Sequence, residues 1–188
     1  MINSFKKKNN LASMIRGKAV EEAIRFSFAS HRDKMSIPAA QNYANDIYYL
    51  RTKKFPPTIV KNNALPINTL VRAGINAFAF LKVKTLKNIN SYKLKKSKYV
   101  YPDFNAEKIE LDGEKYNNCC IELKVSGEKI TESLKGHVKQ CVNYSIKSRK
   151  PVVLIYLIFE KNDNKFVKYS SKPRFFLISQ KKWYNFPK

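Results

Sequence analysis

The stretch Tyr101–Val125, YPDFNAEKIELDGEKYNNCCIELKV, decides the fold because it holds two apolar runs separated by the pair Asp112-Gly113. Asp-Gly readily adopts the positive φ angles of a two-residue turn, so the stretch predicts a β-hairpin. If this pair forms the turn, opposed residues have numbers that add to 225, as 112 and 113 do. Asp103 and Glu122 satisfy that sum and should face each other, provided that neither strand contains a bulge.

Acidic and basic side chains share one face of the second strand. Successive side chains of a strand point to opposite faces, so Glu122 and Lys124 lie together. The aliphatic side chains of the run face the core instead, namely Ile121, Leu123 and Val125. Two opposed carboxylates repel each other, and a divalent cation between them would relieve that repulsion. Phosphodiester hydrolysis needs such a cation and a nearby positive group, which Asp103, Glu122 and Lys124 could provide.

Helical periodicity dominates the chain before the hairpin. It predicts helices at Leu11–Ala29, Ala39–Leu50 and Ile67–Leu81. Paired prolines and paired asparagines predict a loop at Lys53–Pro66. Met1–Asn10 is polar and rich in lysine, and we expect it to be a flexible N-terminus.

The chain after the hairpin predicts a helix followed by a buried strand. The helix is expected at Thr131–Ser148, and Val152–Phe159 is a continuous apolar run typical of a strand covered on both faces. This order predicts a parallel crossover between Cys119–Val125 and Val152–Phe159. Short strands are expected at Phe166–Tyr169 and Phe175–Ser179. Together these elements predict one α/β domain of 188 residues, with a central mixed sheet flanked by helices and a helical N-terminal part.

The composition points to a polyanionic partner. The formal net charge is +23, from 37 lysine and arginine residues against 14 acidic ones. Because the lysines run along the whole chain, nucleic acid is favoured over an anionic membrane surface. Nucleic acid is therefore the expected partner, and no membrane association is expected.

The expected location is inside a cell. The sequence shows neither a membrane-spanning apolar run nor a signal-peptide core, which predicts a soluble cytoplasmic protein. The cytoplasm of a viral host and the mitochondrial matrix are left open. Cys119, Cys120 and Cys141 are odd in number and contain an adjacent pair, so we expect reduced thiols.

Three motifs together resemble the PD-(D/E)xK nuclease superfamily. The central one is Pro102-Asp103 followed by Glu122-Leu123-Lys124 at the end of an apolar strand. The two others lie on the flanking predicted helices. The segment from Gly17 to Glu21 is similar to the G-x-x-x-E segment of many members. The segment from Gln140 to Tyr144 is similar to the Q-x-x-x-Y motif of the RecB-like branch.

The resemblance implies a magnesium- or manganese-dependent deoxyribonuclease, a phosphodiester hydrolase with a restriction-endonuclease-like core. The catalytic residues it implies are Asp103, Glu122, Lys124 and Glu21. Asp103, Glu122 and Glu21 would be the metal ligands, and Lys124 would position the attacking water or stabilise the transition state. Gln140 and Tyr144 would support the substrate strand. The RecB-like motif favours an exonuclease in DNA recombination, repair or phage DNA processing, with a structure-selective endonuclease similar to Holliday-junction resolvases as the alternative.

Further substrate contacts are expected from lysines interleaved with tyrosines before the hairpin, namely Lys93, Lys95, Lys96 and Lys98.

Each candidate also has a structural interpretation. Glu122 with Lys124 could be a solvated strand face, Asp103 a turn residue, and Glu21 a surface residue of its helix. Gln140 and Tyr144 could lie on an ordinary exposed face. A non-catalytic basic nucleic-acid-binding protein therefore remains the alternative class, and a homo-oligomer or a recombination or replication partner protein stays open.

Overall fold

The computed structural model describes residues 2–28, 35–83, 86–87, 102–126, 133–161, 169–177 and 182–185. The helices in these ranges are α1 (Ile2–Ser27), α2 (Ile37–Thr52), α3 (Pro57–Ala64), α4 (Ile67–Phe80) and α5 (Ser133–Ser148). The strands are β1 (Leu86–Lys87), β2 (Phe104–Leu111), β3 (Glu114–Ser126), β4 (Val152–Lys161), β5 (Tyr169–Leu177) and β6 (Lys182–Asn185). The prediction of an α/β protein with a helical N-terminal part is confirmed.

The described strands form one sheet in the order β1-β2-β3-β4-β5-β6. The β3–β4 pair is parallel and pairs Glu122 with Leu154 and Lys124 with Tyr156, whereas the other neighbouring pairs are antiparallel. A parallel pair needs a crossover connection, and α5 lies in the chain between these two strands. The predicted mixed sheet with its parallel crossover is therefore confirmed.

The predicted hairpin and its register are also confirmed. Asp112 and Gly113 have φ angles of 55° and 80°, as a tight turn between twisted strands requires. Phe104 pairs with Ile121, which keeps the sum of 225 at the end of the hairpin far from the turn. Asn118 has a φ of 51°, so β3 departs locally from regular pleating, yet the pairing on both sides of it keeps the same register. Asp103 is consequently placed beside Glu122.

Side-chain alternation gives the sheet a different core on each face. The larger core contains residues of α1, α2 and α4 together with Ile121 and Leu123 of β3. The smaller core lies under α5, where Cys141 and Tyr144 pack with Cys120 of β3. The odd-numbered aliphatic residues of β3 thus lie in the core, as predicted, and the structure places them on the side of the N-terminal helices. The even-numbered residues face α5.

The prediction of a loop at Lys53–Pro66 is wrong, because α3 occupies residues 57–64. Proline is tolerated in the first helical turn, where its missing N–H would have no partner inside the helix. Pro57 is the first residue of α3. Asn63, one of the paired asparagines, is buried within the same helix. The paired prolines therefore start a helix here instead of excluding one.

The N-terminal segment also differs from its expectation. Residues 2–10, for which the sequence predicts a flexible terminus, form the first turns of α1, and the side chains from Ser4 to Leu11 are all exposed. Without buried positions these turns have no apolar periodicity to reveal them, and they extend a helix that is packed from Ala12 onward.

Three further points concern the sheet and the cysteines. Residues 175–177 of the predicted strand Phe175–Ser179 belong to the longer β5, and residues 178 and 179 lie outside the described residues. Strands β1 and β6 were not predicted. Of the predicted strand Phe166–Tyr169, only Tyr169 lies inside the described residues, where it begins β5. The cysteines Cys119, Cys120 and Cys141 are all free, as expected.

Candidate functional site

The candidate site is a notch at the end of β2, where β3 continues without this partner. β2 begins at Phe104, and Asp103 lies directly before it. The backbone N–H of Leu123 donates to Oδ2 of Asp103 at 2.9 Å, and the backbone N–H of Asp103 donates to Oε2 of Glu122 at 3.2 Å. The backbone pairing of β2 with β3 ends at Phe104, and beyond it these two hydrogen bonds hold Asp103 against β3 and beside Glu122. We call this region the carboxylate notch.

Glu122 is a buried acid, only 2% exposed. Its Oε1 accepts hydrogen bonds from Nζ of Lys124 and from Nε2 of Gln140, the latter at 3.2 Å. Burial, followed by the charge of Asp103, raises the pKa of Glu122 to about 7, although Lys124 opposes this shift. A solvated strand face is therefore the wrong interpretation of Glu122. Its carboxylate is costly to ionise unless positive charge is close.

Helix α1 places three charged side chains beside the same notch. Oε1 and Oε2 of Glu21 accept from Arg25 at 2.8 Å and from Lys18 at 2.6 Å. Arg25 also donates to the backbone carbonyl of Asp103 at 2.8 Å, and Nζ of Lys18 lies 3.6 Å from Oδ1 of Asp103. Residues three and four apart share a helix face, so α1 presents all three side chains to Asp103.

Burial makes Glu21 more than a surface residue of its helix, since only 8% of it is exposed. Burial and the nearby charge of Asp103 raise the pKa of Glu21, although Lys18 and Arg25 lower it. Burial lowers the pKa of Lys18, but its hydrogen bond to Glu21 and the charges of Glu21 and Asp103 outweigh this and raise it. The notch is thus a closely coupled set of charges.

Helix α5 contributes polar groups from the opposite face of the sheet. Gln140 lies between Glu122 and Tyr144, and its Nε2 is 2.5 Å from Oη of Tyr144. Tyr144 is buried, which together with the neighbouring acids raises its pKa. One turn earlier, Nδ1 of His137 is hydrogen-bonded to Oη of Tyr156 at 2.5 Å. Gln140 therefore contacts Glu122 directly, and Tyr144 is linked to Glu122 only through Gln140. The contact of both residues with a substrate strand stays a prediction.

Some site residues were not found from the sequence. Arg25 and Lys18 carry a weak signal, because they flank Glu21 at helical spacing. Tyr156 carries none, since it lies inside a continuous apolar strand. Lys93, Lys95, Lys96 and Lys98, the predicted phosphate contacts, lie outside the described residues.

A pocket of about 320 Å³ opens beside the notch. It is lined by Asp103, by Lys124 of β3 and by residues of α1 that include Met14, Arg16, Gly17, Lys18 and Glu21. Cations and carboxylates thus share one cavity next to apolar wall atoms. A phosphate group with its bound metal ion needs both kinds of charge.

The donor set for a metal is small. Within the described residues, no group of three or more histidine, cysteine, aspartate or glutamate side chains is arranged to hold a metal ion. Magnesium needs fewer protein ligands, because it commonly keeps several waters and takes one or two carboxylates plus substrate phosphate. Asp103 and Glu122 fit that pattern. Both oxygens of Glu21 accept hydrogen bonds from Lys18 and Arg25. Both oxygens of Glu122 also accept hydrogen bonds, from Lys124, Gln140 and the backbone N–H of Asp103, so a metal ion at either acid would replace some of these donors.

The chain matches no protein-family model, no curated protein and no solved structure. No helix in the described part of the chain has the length and apolar character needed to cross a membrane.

Proposed function

We propose that this protein is a metal-dependent DNA nuclease of the PD-(D/E)xK type, which hydrolyses phosphodiester bonds with Mg²⁺ or Mn²⁺. One observation carries the proposal: Asp103, Glu122 and Lys124 meet in the carboxylate notch through direct hydrogen bonds. Two acids and a lysine at a sheet end, beside a pocket with further cations, form the set that this chemistry needs.

The geometry supports the following roles. Asp103 and Glu122 would hold the metal ion, which when bound polarises the phosphate and lowers the pKa of a bound water. Lys124 holds its ammonium group at the acid pair, where it would position the attacking water and stabilise the negative charge that develops on the phosphate. Arg25 fixes the backbone of Asp103, and Glu21 holds Arg25 and Lys18 in place.

The restriction-endonuclease-like core and the RecB-like branch belong to the same proposal. The order helix α1, hairpin β2–β3, helix α5 and strand β4 agrees with the family core that the motifs imply. The contact of Gln140 with both Glu122 and Tyr144 supports a role for the Q-x-x-x-Y motif at the site. These features favour an exonuclease in recombination, repair or phage DNA processing. A resolvase-like endonuclease is the close alternative.

The experiment is an assay of labelled DNA with the full chain and Mg²⁺ or Mn²⁺. Wild-type protein should cleave, while Glu122→Ala and Lys124→Ala should not. Glu110→Ala is a matched control, because Glu110 also pairs with a lysine, Lys82 at 2.6 Å, but on the exposed part of the hairpin. Linear, circular, single-stranded and four-way-junction DNA would separate exonuclease from endonuclease.

The other class, a non-catalytic basic nucleic-acid-binding protein, has one observation in its favour. Lys124 and Glu122 form a closed ion pair, and such a pair could stabilise the sheet end without any chemistry. Binding of DNA without metal-dependent cleavage would establish this class, and equal cleavage by wild type and both site variants would also refute the proposed centre. The net charge of +23 supports a DNA partner in either case.

A further inference from the structure

One face of α1 runs from the carboxylate notch towards the start of the helix. At 3.6 residues per turn, the side chains of five residues on this face point within about 40° of one direction. We call this face the α1 track, and it consists of Lys7, Leu11, Met14, Lys18 and Glu21. Glu21 and Lys18 form its inner end, where Lys18 reaches Asp103. Lys7 lies about 16 Å from Lys18 along the helix axis, away from the notch, at a rise of 1.5 Å per residue.

The α1 track places apolar surface between positive charges. Met14 is 68% exposed and Leu11 is 44% exposed, although both are large hydrophobic side chains. They stand between Lys7 and Lys18 on the same face. Met14 also lines the pocket beside the notch, together with Lys18 and Lys124. Covering these apolar side chains would be favourable, and the flanking lysines select a partner that is both anionic and apolar.

We propose that the α1 track binds an unpaired DNA strand that leads into the carboxylate notch. Lys7 and Lys18 contact phosphates, while Leu11 and Met14 pack against bases. A duplex hides its base faces in the stack and would offer this face little beyond its backbone, whereas an unpaired strand exposes bases and phosphates together. The inference rests on the proposed function, because the notch is taken as the place where the bound strand is cut.

The test is strand binding measured by fluorescence anisotropy, with the full chain in EDTA so that no cleavage occurs. The probes are a labelled oligothymidine and a labelled duplex of the same length. The double variant Leu11→Ser with Met14→Ser removes the apolar part of the track. Its matched control is Leu50→Ser with Leu65→Ser, because these leucines are 67% and 47% exposed but belong to the α2–α4 region.

The track variant should bind oligothymidine about tenfold more weakly, as expected when two large apolar side chains no longer become buried. Its affinity for duplex should change by less than about twofold, and the control variant should bind both probes as wild type does. Unchanged binding of oligothymidine, an equal loss on both probes, or the same loss in the control would overturn the proposal. The first of these outcomes is the one expected if the track is instead a contact surface for another protein.

A second variant tests the phosphate contacts. Lys7→Gln should reduce the slope of log affinity for oligothymidine against log salt by about 0.7, the value for one contact on a single strand. Lys108→Gln, at an exposed lysine of the hairpin, should leave the slope unchanged. Equal slopes for Lys7→Gln and wild type would overturn the assigned contact.

These binding results are independent of cleavage. Wild-type protein that cleaves DNA, with track variants that bind like wild type, would refute the α1 track alone. Track-dependent binding by a protein that never cleaves would refute the nuclease and leave the binding surface in place.

Discussion

Gln140 on α5 donates a hydrogen bond to Glu122 on β3, with Nε2 3.2 Å from Oε1. The bond joins the helix on one side of the sheet to the acid in the carboxylate notch. Gln140 also contacts Oη of Tyr144, so its amide is held from two sides. Glu122 thereby keeps a fixed orientation towards Asp103, which is what a preorganised metal ligand needs.

Replacing Gln140 with leucine should lower metal-dependent cleavage about 10- to 100-fold, because partners that orient a metal ligand commonly contribute that much. Asn143→Leu is the control, since Asn143 is exposed on the same helix. Steady-state cleavage rates across a range of Mg²⁺ concentrations are the measurement. A Gln140→Leu protein that cleaved with the wild-type rate and metal dependence would contradict the orienting role.

Glu122 should make the metal-free protein less stable as pH rises. Its pKa is raised from 4.5 to about 7 by burial and by Asp103, so the folded state holds a proton that the unfolded state has already lost. Stability therefore falls between about pH 4.5 and about pH 7. Glu122→Gln should reduce this fall, and the part that comes from Glu21, whose pKa burial also raises, should remain. The measurement is the urea midpoint from about pH 4 to about pH 8 without divalent cations.

A surface acid gives the opposite sign and serves as the control. The hydrogen bond from Lys82 lowers the pKa of Glu110, so its contribution to stability is present above the unfolded pKa and is lost as pH falls. Glu110→Gln should therefore slightly destabilise the protein near neutral pH. If the urea midpoint of Glu122→Gln still fell between about pH 4.5 and about pH 7 as steeply as that of wild type, the raised pKa of Glu122 would be refuted.

Gly74 should be required for the packing of α4 against α1. A Cβ at this position would lie 2.2 Å from Cδ1 of Ile24 and 3.4 Å from Cδ1 of Leu157, so Ile24 would have to move. Gly74→Ala should cost about 1–3 kcal/mol of unfolding free energy, the usual cost of overpacking a core. Gly17→Ala meets open space and should be neutral or stabilising, because alanine favours a helix. Chemical denaturation of both variants checks this, and equal stability would contradict it.

The sequence predicted the parts of this fold that depend on local chemistry. Asp112-Gly113 determines the turn, the turn determines the register, and the register places Asp103 beside Glu122. The same local reasoning was wrong about α3, because proline is compatible with the first turn of a helix and Pro57 lies there. Proline at that position cannot be distinguished by type alone from a proline in a loop.

Contacts between distant residues were beyond such reasoning. Arg25 reaches the backbone of Asp103 only because α1 packs across the end of the hairpin. The periodicity of either segment does not predict this packing. Tyr156 is hidden in an apolar strand, and its contact with His137 depends on how α5 lies over the sheet. The acids and the lysine could thus be found from order and alternation, whereas the groups that hold them could not.

The most direct test of the proposed centre compares cleavage by wild type and Lys124→Met, with Lys115→Met, an exposed lysine of the hairpin, as control. Labelled linear and single-stranded DNA are incubated with Mg²⁺ or with EDTA. Wild type and the control should cleave only with Mg²⁺, and Lys124→Met should be at least about 100-fold slower, the usual cost of losing one group that stabilises the transition state. No metal-dependent cleavage by wild type, or cleavage by Lys124→Met at the wild-type rate, would contradict the assignment.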